Sequence, residues 1–356
     1  MMRPFATLGG AVLALALVDG WLVARERSAR ATDVRVGALF APEEAERLRK
    51  VPALRVDRAG TTHRYGRIEG QWRCLSYHDA PADGRGVQGL LDALVQAEGF
   101  VLTREVDEAA RYGINTPETI RIALQGPRAV QDPSGDVQAE IDVGASLSER
   151  GETYLRRKGT KEVWSVDGDV RALLEPRGAL PPLLEPSAVP APWLEKAGGV
   201  LRVEVVEGAR RLALERRDAP FDADALERGA SPWSWILDPE DGTGERELDV
   251  DVAGAYATWL EQLAYVDVLE PERRAALVPD PPPGLVVLRG REGVELRLAF
   301  GAPLDDGRVP LWVAASATLY LLPPGARELA LPSTDTLAAG TREQNPWSAA
   351  LSGGGR

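Results

Sequence analysis

The sequence predicts an α+β protein: a tandem duplication of an antiparallel-sheet module with packed helices, preceded by one transmembrane helix. Three observations predict it. An apolar stretch opens the chain and a proline-rich stretch divides it. The same order of short strands, one amphipathic helix and a proline-ended turn lies on both sides of that divide.

At 356 residues the chain is long for one interior and suits two domains of ordinary size. A hydrophobic content of 44% with nine Trp supports packed cores and excludes wholesale disorder. The formal net charge of −12 argues against nucleic-acid binding, which needs a basic surface. A single cysteine, Cys74, rules out an internal disulfide framework.

"FATLGGAVLALALVDGWLVA" (Phe5–Ala24) is 20 residues with one charge, Asp19, and as a helix would span roughly 30 Å, one hydrocarbon thickness. Arg25, Arg27 and Arg30 end the apolar run. A small-x-small cleavage site appears only at Ala29-Arg30-Ala31, after those arginines, so a retained anchor over residues 1–30 is expected. Residues 31–50 read as a charged connector. Counted alone, the arginines would leave the bulk of the chain in the cytoplasm.

The first module is expected over residues 51–174. "PALRVDRAGTTHRYGRIEGQWRCL" alternates apolar and polar residues around Gly60 and Gly70, the pattern of a β-meander with one solvated face. Val87, Leu90, Leu91, Leu94 and Val95 recur at helical spacing, with Asp83 placed to cap the helix. "RYGINTPETIRIAL" then ends a short helix before a proline and delivers the chain into a strand; Asn115 suits the turn and needs no ligand. "EPRGALPPLLEPSAVPAP" (Glu175–Pro192) carries six prolines and no periodicity, so residues 175–198 read as an extended linker.

Residues 199–332 repeat the first module, and 333–356 read as a mobile tail. "VLRVE" answers "ALRVD", and "SWILD" answers "QWRCL". Gly84–Pro117 lies without gaps on Asp249–Pro282, so Val87 meets Val252 and Pro117 meets Pro282. Gly144–Leu155 then matches Gly301–Trp312. Each module is expected to hold its own interior.

These stretches resemble the domain-of-unknown-function 4340 family. The residues that carry the resemblance are "APADGRGVQGLLDAL" (Ala80–Leu94), "YGINTPETIRIAL" (Tyr112–Leu124) and "VGASLSERGETYLRRKGTKEVWSVDGDVRALL" (Val143–Leu174). The second module departs from the pattern, with Leu277-Val278 for Tyr-Gly and an insertion over Arg217–Ser231. Members are typically bacterial, anchored by one helix and encoded near gliding-type ABC transporter components. The resemblance therefore implies an inner-membrane protein with its bulk in the periplasm, against the arginine count. It also implies an accessory or binding role beside ABC transporter permease or auxiliary subunits. It carries over no catalytic residues.

Candidate chemistry is sparse. "GRGVQG" (Gly84–Gly89) spells a dinucleotide fingerprint, but no buried parallel strand precedes it and the second module lacks its first two glycines. His63, Cys74 and His78 lie close in sequence, yet the chain offers no fourth nitrogen or sulfur ligand for zinc. Asp249/Asp251 suit a helix start and Asp305/Asp306 a turn. Trp72, Trp164, Trp235, Trp259 and Trp312 fall on expected core faces. Trp193 in the linker and Trp233 beside the insertion are expected to be less buried, and are the candidates for partner contact. No catalytic residue, cofactor or metal is expected, and the groove between the modules is the default binding surface. The rival readings are a structural envelope scaffold and a cell-envelope hydrolase using scattered acids.

Overall fold

Alternation of apolar and polar residues drives both halves into antiparallel sheet. In the computed structural model, residues 36–132, 135–147, 149, 151–218, 233–239, 244–339 and 345–353 are described. The apolar segment 5–24 lies outside them. Among the described residues no helix is long and apolar enough to cross a membrane.

The first sheet starts with β1 (Gly37–Ala38), followed by helix α1 (Pro42–Leu48). The meander is β2 (Ala53–Arg58), β3 (Thr61–Ile68), β4 (Gln71–Cys74) and β5 (Ala80–Pro81). Leu54 and Val56 of β2 point inward. Ala59-Gly60 turns β2 into β3 with both residues at positive φ, as a twisted two-residue hairpin requires. Helix α2 (Gly84–Val95) covers the sheet with the apolar stripe read from its sequence, and β6 (Glu98–Thr103) follows. Then come β7 (Ile120–Gln125), β8 (Val137–Leu147), β9 (Glu152–Arg157) and β10 (Val163–Asp167).

Helix α3 (Ala191–Ala197) precedes the second sheet. Its strands are β11 (Arg202–Glu207), β12 (Arg210–Asp218), β13 (Trp233–Asp238) and β14 (Arg246–Leu248), then helix α4 (Val250–Glu261) and β15 (Asp267–Leu269). The short helix α5 (Arg274–Leu277) leads to β16 (Gly284–Arg289), β17 (Glu295–Phe300), β18 (Val309–Val313) and β19 (Thr318–Leu322). The chain closes with α6 (Ala326–Ala330), α7 (Thr334–Ala339) and α8 (Pro346–Gly353).

Strand order is the same in both sheets. The first runs β5-β4-β3-β2-β7-β8-β9-β10-β6, with β1 added beyond β6; the second runs β14-β13-β12-β11-β16-β17-β18-β19-β15. Each strand of the second is thus the first-sheet strand nine places earlier in chain order. Both sheets are antiparallel, so the α+β class with two sheet modules holds.

The helices correct the gapless alignment by one residue. Asp83 accepts from the backbone N–H groups of Arg85 and Gly86, and Asp249 from those of Asp251 and Val252, so each aspartate is the N-cap of a 12-residue helix. Leu90 therefore answers Tyr256 and Leu94 answers Leu260, one place along from the Val87–Val252 match.

One contact recurs with the same geometry in both halves. A Cβ added to Gly144 would sit 2.1 Å from the carbonyl oxygen of Tyr112; one added to Gly301 would sit 2.1 Å from that of Leu277. Only glycine lets the strand pass so close beneath the preceding turn. In the first half that turn holds Asn115 at φ 64°, a conformation Asn tolerates. Its Oδ1 accepts from Arg156 Nη2 at 2.6 Å, so a protein group occupies the side chain.

Three segments pack more tightly than their composition suggests. The connector adds β1 to the sheet edge and docks α1, where Glu44 takes a two-pronged pair of hydrogen bonds from Arg157 at 2.9 and 2.7 Å. The tail places Trp347 in the core, its ring 5.0 Å from that of Tyr256 and its Nε1 donating to the Leu329 carbonyl at 3.0 Å. Residues 180–189 are mostly buried, so the proline-rich stretch is a docked strap and not an extended linker. Prolines suppress regular structure without preventing burial, provided the remaining backbone groups find partners. Through Leu183, Leu184, Ala188, Val189 and Trp193 the buried side chains of both sheets form one continuous network, so the two modules do not hold separate interiors.

Gly144→Ala and Gly301→Ala should each lower stability by on the order of 3 kcal/mol, since main chain must shift to admit the methyl group. Gly89→Ala, where an added Cβ meets nothing within 4 Å, should stabilise α2 by about 0.5–1 kcal/mol. Urea unfolding of the three variants checks both signs.

Candidate functional site

The strap reaches both sheets through its backbone. Tyr65 OH donates to the Pro182 carbonyl, Asp83 N–H to that of Leu183 at 2.8 Å, and Glu185 N–H to that of Pro81 at 3.1 Å. Ala82 and Leu184 form an antiparallel bridge, so the strap continues the first sheet beyond β5. Two residues later it turns to the second module. Ala188 N–H donates to the Leu263 carbonyl at 2.9 Å, Ser187 Oγ to that of Glu261 at 2.9 Å, and Tyr265 OH to that of Glu185 at 2.7 Å. Direct contacts add Tyr77 OH to Asp267 Oδ1, and Arg73 Nη1 to the Ser316 carbonyl at 3.3 Å.

A cavity of about 1060 Å³ opens where these elements meet. Its walls are the strap, the first turn of α2, the end of α4, the approach to β15, and α8. Most of the lining is apolar, drawn from Leu180, Leu183, Leu184, Val189, Trp259 and Leu351 among others. Leu173 and Val266, 40% and 43% exposed, bring apolar surface to the solvent at the same site. The volume is at the upper end of the roughly 300–1,000 Å³ usual for small-molecule sites.

Four acidic side chains and one basic side chain line it: Asp83, Glu175, Glu185 and Glu261 against Arg177. Three of the acids have structural work. Asp83 caps α2, Glu175 accepts from Arg58 at 3.4 Å, and Glu261 Oε1 accepts from Val200 N–H at 2.8 Å. The fourth, Glu185, is 8% exposed, and its carboxyl takes no hydrogen bond or ion pair among the described residues. Burial pushes its pKa up to about 7 and the negative charge of Asp83 adds to the rise, while Arg177 and Arg85 pull it back. Glu185 is therefore the group at this site whose charge changes near neutrality.

The aromatic candidates part company. Trp193, expected to be less buried, is 8% exposed, because α3 carries its ring into the shared core; its Nε1 finds no acceptor. Trp233 is half-buried on β13 and carries the Arg216 guanidinium 4.4 Å from its ring centre. The two residues lie on different elements, and neither lines the cavity. Most of the insertion preceding Trp233 lies outside the described residues. Trp72, Trp235 and Trp259 are buried, and Trp164 and Trp312 half-buried.

The other sequence candidates sit in ordinary surroundings. The backbone N–H groups at the start of α2 are taken by Asp83, which leaves "GRGVQG" no cradle for a phosphate. Cys74 is fully buried, with its pKa pushed up to about 11 by burial, and lies 3.8 Å from Ser76 Oγ. Among the described residues no three His, Cys, Asp or Glu side chains gather as a metal-ligand set. Asp306 accepts from the backbone N–H and side chain of Arg308 in its turn.

Residues 72–179 match the family model described as Domain of unknown function (DUF4340). Over that segment, less than a third of the chain, the protein is similar to the DUF4340 family. The matched residues begin within β4 and end in the strap, so the DUF4340 segment contains most of the first sheet and none of the second. No curated protein and no solved structure matches the chain. Of the cavity's acids the segment holds Asp83 and Glu175; Glu185 and Glu261 lie beyond the DUF4340 match.

Sequence reading missed Glu185, which belongs to no motif. The available signal was isolation: between Arg177 and Glu195 it is the only charged residue, set in "LPPLLEP". An acid inside so apolar a run must either face solvent or keep its proton.

The elevated pKa sets a direction for stability. The folded protein holds the Glu185 proton more tightly than the unfolded chain, whose carboxyl titrates near 4.5. Its contribution is therefore full below pH 4.5, declines as pH rises toward 7, and is flat above. Glu185→Gln should lack that decline, so the difference between variant and native urea-unfolding free energies should shift by about 2 kcal/mol, allowing for solvent screening, in the variant's favour from pH 4.5 to 8.

Proposed function

We propose that this protein is a non-catalytic binding component, tethered to the inner membrane by residues 5–24 with its bulk in the periplasm. In this reading it serves as an accessory of an ABC-type transport or motility system. The two sheets are descendants of one module copied in tandem; the shared strand order and the paired glycine crossings support that descent. The observation that carries the binding role is the cavity, since a purely structural scaffold has no use for an apolar recess walled by both halves of the chain. Copying a module and docking the copies across a strap creates a concave junction that neither copy has alone.

A hydrolase is the second reading, favoured by Glu185, whose pKa of about 7 suits a general acid, and by the three further acids around the same cavity. Hydrolysis by paired carboxyl groups needs a second titrating partner. Asp83, Glu175 and Glu261 are each committed to a helix cap, an arginine or a backbone N–H. Binding fits a single uncommitted carboxyl better than acid–base chemistry does.

Detergent extraction of the full chain followed by affinity capture and mass spectrometry tests the assignment. Permease or auxiliary subunits of a transporter should be enriched over a control bait, and deletion of residues 5–24 should move the protein out of the membrane fraction. Consistent absence of transporter subunits would overturn the accessory role.

A further inference from the structure

We propose that the junction cavity binds a cationic amphiphile, an apolar body ending in a single ammonium group, with the Glu185 carboxylate as its counter-ion. This rests on the binding role above and adds the chemical class of the ligand.

The lining separates into two parts that match the two ends of such a molecule. Leucine, valine, proline and tryptophan side chains supply an apolar wall, and Leu173 and Val266 extend it to the solvent. Removing a hydrocarbon chain from water onto such a wall stabilises the complex by about 0.8 kcal/mol per buried methylene. Among the acids only Glu185 is uncommitted. The residue is 8% exposed and lines the cavity, and its carboxyl, without a hydrogen bond among the described residues, is open to a partner there.

Charge decides the sign of that partner. The lining holds four acidic groups and one basic group, so an anion would meet net repulsion. Arg177 is exposed, so the buried end of the site remains acidic. The charged groups acting on Glu185 are Asp83 and Arg85 at the start of α2, Arg177 in the strap and Glu195 on α3, and from the second module the hydroxyl groups of Tyr265 and Tyr320 also act on it. Arg85 is engaged by Glu195, which limits what it can offer Glu185. A ligand ammonium would supply the missing opposite charge, in a setting where desolvation strengthens the pairing.

Protonation couples to this binding. Glu185 is mostly protonated at pH 6 and mostly ionised at pH 8, because its pKa lies at about 7. An ammonium ligand favours the ionised form, so its affinity rises with pH and its binding at pH 6 releases a proton.

Three water-soluble probes sharing one apolar body separate the parts of the proposal: 4-phenylbutylammonium, 4-phenylbutanol and 4-phenylbutyrate. Each is titrated calorimetrically into the full chain in lipid nanodiscs, with empty nanodiscs subtracted, at pH 6 and pH 8. The ammonium should bind at least about tenfold more tightly than the carboxylate at pH 8, and that preference should shrink several-fold at pH 6. Glu185→Gln should keep alcohol binding and lose the ammonium preference. Val266→Arg, at the exposed edge, should weaken the ammonium more than the alcohol. Equal or tighter binding of the carboxylate, or a preference that survives Glu185→Gln, would overturn the charge assignment while leaving the cavity as a binding site. Failure of all three probes to bind would overturn the site itself.

Discussion

Docking of residues 180–189 is the constraint on which the molecule depends. An unpaired backbone group buried away from water costs about as much as a lost hydrogen bond, so a proline-rich segment can enter a core only where neighbours answer its remaining N–H and carbonyl groups. Both modules answer them. Pro81 and Asp83 pair with the strap on one side; Leu263, Glu261 and Tyr265 pair with it on the other. Leu183, Leu184 and Val189 then bury their side chains against both sheets, each gaining roughly 1.5–3 kcal/mol from the transfer. The shared interior and the junction cavity follow from this arrangement.

The same arrangement explains where polarity is left over. Apart from the Ser187 hydroxyl, the strap makes its hydrogen bonds through its backbone, and most of its side chains are apolar. Glu185 departs from that pattern. Its main chain is held on both faces, by Pro81 and by Tyr265, which sets the residue on the wall of the cavity. Rigid backbone and unanswered side chain together distinguish this residue from a surface glutamate.

Much of the fold was legible in the sequence, and for identifiable reasons. Period-two alternation in "ALRVD" and the leucine spacing of α2 report local geometry that tertiary packing did not overrule. The aspartate caps were readable because capping is local chemistry. The strap misled because six prolines erase periodicity, and composition cannot tell an extended linker from a segment pinned by distant tyrosines. Trp193 was misplaced with it. The tail misled in the same way: a glycine-rich end masked Trp347, whose acceptor on Leu329 and aromatic neighbour on α4 lie far along the chain. The cavity is a property of two surfaces meeting, and no stretch of residues encodes it alone.

The crossings at Gly144 and Gly301 bring main chain against main chain. Packing between side chains can drift, because a change on one side is absorbed by a change on the other. Carbonyl oxygens have no substituents to exchange, and the space above each glycine admits no alternative. These two points therefore behave as rivets. Around them many side chains differ between the two halves, while the strand order is the same. A lobe held this way can acquire a new surface without a new architecture.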